Sequence, residues 1–86
     1  MKFIIFINEL KNELYKKLFT NVKIYMIYFD TNEITIRIKC ERNNKNYDFY
    51  YNNELKFLDS KEINKLVYGM INNEVIKWKE LYLMIL

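Results

Sequence analysis

The residues that usually carry catalysis are nearly missing from this chain: it has no histidine, one cysteine (Cys40), one serine (Ser60) and one glycine (Gly69). Without histidine there is neither a Ser-His-Asp nor a Cys-His arrangement, and no side chain whose ordinary pKa lies near neutrality. One thiol cannot close an internal disulfide, and a structural zinc site wants four Cys or His ligands. A single glycine excludes the glycine-rich phosphate loops, which need several points of close backbone approach. The carboxylates Glu9 and Glu13 fall on the solvated side of a helical repeat, unlike a hydrolase pair facing one substrate. The composition therefore predicts a protein that is not an enzyme and needs no cofactor or metal.

What remains is binding chemistry. Aromatic residues make up 17% of the chain and hydrophobic residues 51%, enough apolar surface to offset the conformational entropy of folding. At 86 residues the chain has room for a single domain, 1–86. Its net charge of +3 is spread rather than clustered: four basic and two acidic residues in positions 1–19, five of each in positions 54–86. A nucleic-acid binder ordinarily concentrates its basic residues, so the spread charge makes nucleic acid the lesser of the candidate partner classes. Lys, Asn and Ile occur twelve times each and, with Tyr, Phe and Met, supply 54 of the 86 residues, all from AT-rich codons. An AT-rich genome, such as that of a low-GC bacterium or its phages, is the expected source. The opening apolar stretch, Phe3 to Ile7, is too short for a secretory core, and no run reaches the roughly 18 to 20 residues of a membrane span. A cytoplasmic protein is expected.

These side chains need elements to position them. From Phe3 to Phe19, Phe3, Phe6, Ile7, Leu10, Leu14 and Leu18 recur at spacings of three and four, the mark of an amphipathic helix. Lys2 to Ile7 also reads as a strand, which would give a ferredoxin-like start. The period then changes to two. Val22–Phe29, Ile34–Cys40 and Tyr47–Tyr51 are rich in β-branched and aromatic residues, and Asp30 to Glu33 and Asn43 to Asn46 supply the turns. A helix signal returns after Leu58. Asp59 reads as its N-cap, Glu62 as the capping-box partner, and Leu58 with Ile63 as a hydrophobic staple. Ile63, Leu66, Val67, Met70 and Ile71 form its apolar stripe, and a further apolar piece runs from Val75 through Trp78 to Leu86. The expected fold is α+β: a three-stranded antiparallel meander packed against an N-terminal helix and one or two C-terminal helices.

Register arithmetic then locates a surface. A two-residue turn at Asn43-Asn44 sets Cys40 opposite Tyr47, Ile38 opposite Phe49 and Ile36 opposite Tyr51 on one side. On the other side it sets Lys39 opposite Asp48 as an ion pair and Arg37 opposite Tyr50. The first row is a core face, with Cys40 a buried small hydrophobe. The second is polar. The first strand is apolar or aromatic in both its rows, so a two- or four-residue turn sends Tyr25, Ile27 and Phe29 to the core and a three-residue turn sends Ile24, Met26 and Tyr28 there. Either way a row of large side chains joins Arg37, Lys39 and Tyr50 outside, where it is either an interaction site or lies under one of the chain ends. The candidate partner-binding residues are Arg37, Lys39, Tyr50, Tyr28 and Met26.

The order helix, three strands, helix runs through "INELKNELYKK", "NEITIRIKCERNNKNYDFYYN" and "SKEINKLVYGMINN". In topology, size and AT-rich composition it resembles the small phage-borne anti-CRISPR proteins that block an RNA-guided nuclease. The resemblance implies a partner protein, a host CRISPR-Cas effector or another defence nuclease, and inhibition by steric occlusion. That family's acidic DNA-mimicking face has no counterpart here, and the resemblance carries no individual residue across. Double-stranded-RNA-binding domains share the topology, but the second helix here begins Asp59-Ser60-Lys61-Glu62 and lacks their basic cluster. A second reading is a sheet that stacks single-stranded RNA on Tyr25 or Tyr28 and Tyr50, and a third, supported by size and origin alone, is an immunity protein or antitoxin for a small nuclease. A homodimer is compatible with all three.

Overall fold

The computed structural model describes residues 3–72. The elements run α1 (Phe3–Lys16), β1 (Thr20–Phe29), β2 (Glu33–Arg42), β3 (Lys45–Glu54), a short 3-10 turn (Leu55–Phe57) and α2 (Ser60–Ile71). The expected α+β order is therefore present, and the N-terminal stretch is helix from Phe3 onward rather than strand. The apolar piece from Val75 to Leu86 lies outside the described residues.

Helix α1 buries Phe6, Leu10 and Leu14. It stops at Lys16, short of the expected Phe19, because Leu18 takes a left-handed conformation at φ 70°. There the Phe19 amide reaches back to the Leu14 carbonyl (3.0 Å) and the Leu18 amide to that of Tyr15 (3.1 Å). This is the double bond of a Schellman end, and the buried pair Leu14 and Phe19 supplies its accompanying apolar contact. From the far end of β2, Arg42 Nε donates to the Lys17 carbonyl at 2.8 Å, satisfying another helix-end acceptor.

The strands pair antiparallel in the order β1-β2-β3. Asn43 and Asn44, at φ 52° and 62°, form the two-residue hairpin turn whose sense matches strand twist. The β2–β3 register follows: Cys40 faces Tyr47, Ile38 faces Phe49, Ile36 faces Tyr51, Lys39 faces Asp48 and Arg37 faces Tyr50. Most strand ends lie one to three residues past their expected positions, so Glu33, Lys45 and Asn46 belong to strands rather than turns.

Strand β1 contains two irregularities. Asn21, at φ 51°, lies in the first, between Thr20 and Lys23. The second inserts Ile27 between Met26, paired with Ile36, and Tyr28, paired with Thr35. An inserted residue shifts the alternation of everything beyond it by one. Next to the turn the odd-numbered Phe29 lies on the core side opposite Ile34, whereas beyond Ile27 the even-numbered Met26 and Ile24 lie there opposite Ile36 and Ile38. Both alternatives left open by the sequence are thus realised, one on each side of the bulge.

Both helices cover one face of the sheet. Ile34, Ile36, Ile38, Phe49 and Tyr51 pack there with Phe6, Leu10 and Leu14 of α1 and Ile63, Leu66, Val67 and Met70 of α2 in one buried cluster. The Phe3 and Phe29 rings meet at 4.6 Å. Helix α2 starts where its cap signal places it: Asp59 accepts the Glu62 amide at 2.9 Å, and Leu58 and Ile63 are buried. The Glu62 carboxylate, however, accepts the hydroxyl of Tyr51 from β3. No described helix is long and apolar enough to cross a membrane.

Candidate partner-binding face

The face of the sheet away from α1 and α2 is built in three cross-strand rows. Lys23, Lys39 and Asp48 form the first, Tyr25, Arg37 and Tyr50 the second, and Tyr28, Thr35 and Asn52 the third. Of the sequence candidates, Arg37, Lys39, Tyr50 and Tyr28 come together on this face. Met26 does not. It pairs with Ile36 on the helix side, and Tyr25 occupies the place beside Arg37. The bulge at Ile27 is the reason, since it lets Tyr25 and Tyr28, three residues apart, share one face. The near-equal apolarity of the two rows of β1 conceals such an insertion in the sequence.

Arg37 organises the centre. Its Nε and Nη2 donate to Asp48 Oδ1 and Oδ2 at 2.9 and 2.8 Å, and its guanidinium lies 5.8 Å from the centre of the Tyr50 ring. A planar fork matches a carboxylate in two parallel bonds, which an ammonium cannot do. Asp48 therefore pairs diagonally with Arg37 rather than with Lys39 directly opposite, as the sequence reading expected. The Arg37 hydrogen bonds, with the charges of Arg37 and Lys39, hold the Asp48 carboxyl below its ordinary pKa.

This leaves Lys39 facing Lys23, like charges directly opposed, an arrangement that costs stability. A shallow recess of about 470 Å³ opens at this end, lined by Lys23, Lys39, Glu41 and Asp48 among others. At the other end the Tyr28 hydroxyl donates to Asp30 Oδ2 at 2.8 Å, while Asp30 Oδ1 caps the amides of Asn32 and Glu33 at 2.7 and 2.8 Å. Those amides and the phenol hold the Asp30 carboxyl low, and Asp30 in turn raises the Tyr28 phenol. Asn52 donates to the buried Thr35 hydroxyl at 2.7 Å, closing the floor between them.

The face offers cations, a carboxylate and aromatic rings. Cys40 is buried on the core side, and burial, helped by the charge of Glu41, pushes its thiol up to about 12. Among the described residues no three His, Cys, Asp or Glu side chains gather where a metal ion could sit. The fold and face together define a small αβββα domain with an aromatic and basic sheet surface. No family model matches the chain, and no curated protein or solved structure matches it significantly.

Proposed function

We propose that this chain is a non-catalytic binding protein that acts by covering a surface of a partner protein with the outward face of its sheet. The partner class is the one its αβββα resemblance implies, an RNA-guided nuclease of a host defence system. One observation carries the choice of face: Tyr25 and Tyr28 are 44% and 49% exposed beside Arg37 and Tyr50, on the side away from the described helices α1 and α2. Aromatic and arginine side chains grouped this way are the residue types that dominate binding energy at protein interfaces. Stoichiometry tests the mode of action, because an occluding protein inhibits guide-directed cleavage at about one copy per target and a catalyst inactivates many. Binding titrations test the face. Tyr25→Ala and Arg37→Ala are expected to weaken binding by about 2 kcal/mol or more, whereas Met26→Ala, on the helix side, leaves it nearly unchanged. Equal losses from all three, or turnover at substoichiometric amounts, contradict the reading.

A second reading rests on the opposed Lys23 and Lys39 beside Tyr25 and Tyr50. Bases of single-stranded RNA stack on exposed aromatics for about 1 to 3 kcal/mol each, and paired lysines suit the phosphates between them. Binding to an oligonucleotide that falls steeply with added salt and is lost in Tyr25→Ala selects this reading instead.

A further inference from the structure

Among the described residues strand β1 is an edge of the sheet, and five consecutive residues of it, Tyr25 to Phe29, are each between 44% and 49% exposed. They are exposed on both sides: Tyr25 and Tyr28 outward, Met26 and Phe29 on the helix side. A helix laid over the sheet would cover only one of these sides. A strand added to the edge covers both, since its own side chains alternate above and below.

The bulge decides what kind of strand fits. Tyr25 pairs with Arg37 and Tyr28 with Thr35, and Arg37 and Thr35 stand two apart on β2. Tyr25 and Tyr28 are therefore in the same phase of the ladder, with the same side-chain direction and the same orientation of backbone groups. By the same reasoning Ile24, opposite Ile38, and Phe29, opposite Ile34, are in phase on the helix side. A regular strand laid along this edge falls out of phase past Ile27, which is how bulges ordinarily discourage edge pairing. A second β1, run antiparallel about a two-fold axis between Met26 and Ile27, carries the same insertion and stays in phase throughout. In that register Tyr25 faces the partner's Tyr28, Ile24 faces the partner's Phe29, and Lys23 faces the partner's Asp30. Each pair shares a side of the sheet, and the last joins opposite charges. It also offers Lys23 a carboxylate on the side away from Lys39, offsetting the like-charge contact within one chain.

We propose that β1 is a self-complementary edge through which two copies of this chain join into a continuous six-stranded antiparallel sheet. The proposal goes beyond the functional reading above and does not depend on it, although the junction sets two outward faces side by side.

Sedimentation equilibrium of the full chain, across roughly 1 μM to 1 mM, is the first test, and the mass is expected to rise from one chain toward two. Ile27→Asp adds a charge at the two-fold axis on a side chain already 48% exposed, and is expected to raise the dissociation constant at least about tenfold with its melting curve little changed. Zero-length coupling of amines to carboxylates, on a mixture of light and isotope-labelled chains, tests the register. Lys23 and Asp30 lie roughly 20 Å apart along one strand, so a Lys23–Asp30 link forms only between chains, and labelled-to-unlabelled links are expected. A mass of one chain at every concentration overturns the proposal. So does coupling of Lys77 or Lys79 to Asp30 within one chain, which makes the chain's own end the occupant of the edge. A dimer indifferent to Ile27→Asp and lacking the Lys23–Asp30 link forms elsewhere, and also overturns it.

Discussion

The hydroxyl of Tyr51 on β3 donates to Glu62 Oε1 in the first turn of α2 at 2.5 Å, and it accepts from Asn53 Nδ2 at 2.9 Å. One buried phenol thus joins the last strand to the helix that follows it, while its ring stacks on Phe6 of α1 at 6.4 Å. Burial, and then the hydrogen bond to Glu62, raise the Tyr51 phenol above its ordinary pKa. Tyr51→Phe keeps the ring and removes the hydroxyl, leaving the Glu62 carboxylate without that donor and Asn53 without that acceptor. A loss of about 1 to 2 kcal/mol in urea unfolding is expected, with the sheet's circular dichroism retained. No loss would mean that water replaces the hydroxyl at no cost.

Leu18 occupies the left-handed position that ends α1, yet its side chain is 73% exposed. A non-glycine residue there carries a backbone cost of about 1 kcal/mol or more, and Leu18 has little packing to offset it. Leu18→Gly is therefore expected to raise stability by about 0.5 to 1 kcal/mol, read as a higher urea midpoint at unchanged slope. Leu18→Val is expected to lower it, because branching at Cβ worsens the same clash.

The turn at Asn43 and Asn44 gives the same contrast inside the sheet. Both residues sit at positive φ, which asparagine tolerates and glycine adopts freely. Asn44→Gly is expected to be neutral to mildly stabilising, and Asn44→Val to cost about 1 to 2 kcal/mol in thermal or urea unfolding. Equal effects of the two would show that the turn geometry contributes little to hairpin stability.

Alkaline pH should unfold the protein through Cys40 and Tyr51. Both hold their protons more tightly folded than unfolded, where a thiol ionises near about 8.5 and a phenol near about 10. The unfolded chain therefore binds fewer protons above about pH 8.5, and stability falls with rising pH from there toward the folded values. The contribution is complete below that range. Urea midpoints at pH 7 and pH 10 are expected to differ, and Cys40→Ala is expected to show a shallower decline. In the native protein Cys40 should react slowly with a thiol reagent at pH 8, at a rate set by opening of the sheet.

The legibility of the site followed the strength of local signals. Asp59 and Glu62 place the start of α2 because a cap is satisfied within four residues of chain. The pairing of Arg37 with Tyr50 could be read because a two-residue asparagine turn leaves the hairpin one register. The Arg37–Asp48 bond was not legible, since opposed positions favour Lys39 and only the reach of the guanidinium across the diagonal reverses the choice. Nor was the placing of Tyr25 over Met26, because β1 is apolar in both rows and a bulge leaves no mark in such a pattern.

By itself the sequence determined what depends on neighbours along the chain: the helical period of α1 and α2, the alternation of β2, the asparagine turn and the cap at Asp59. Tertiary structure alone decided which side of β1 meets the core, where the phase changes at Ile27, and that Glu62 bonds to Tyr51 rather than closing its capping box. The difference is one of range. Caps and turns close over a few residues, so their energies are present in the local chain. The phase of an edge strand with two apolar faces is set only when Phe29 meets Phe3 and Ile34 at one end while Val22 and Ile24 join the buried cluster at the other, contacts that exist only after the helix and sheet have come together.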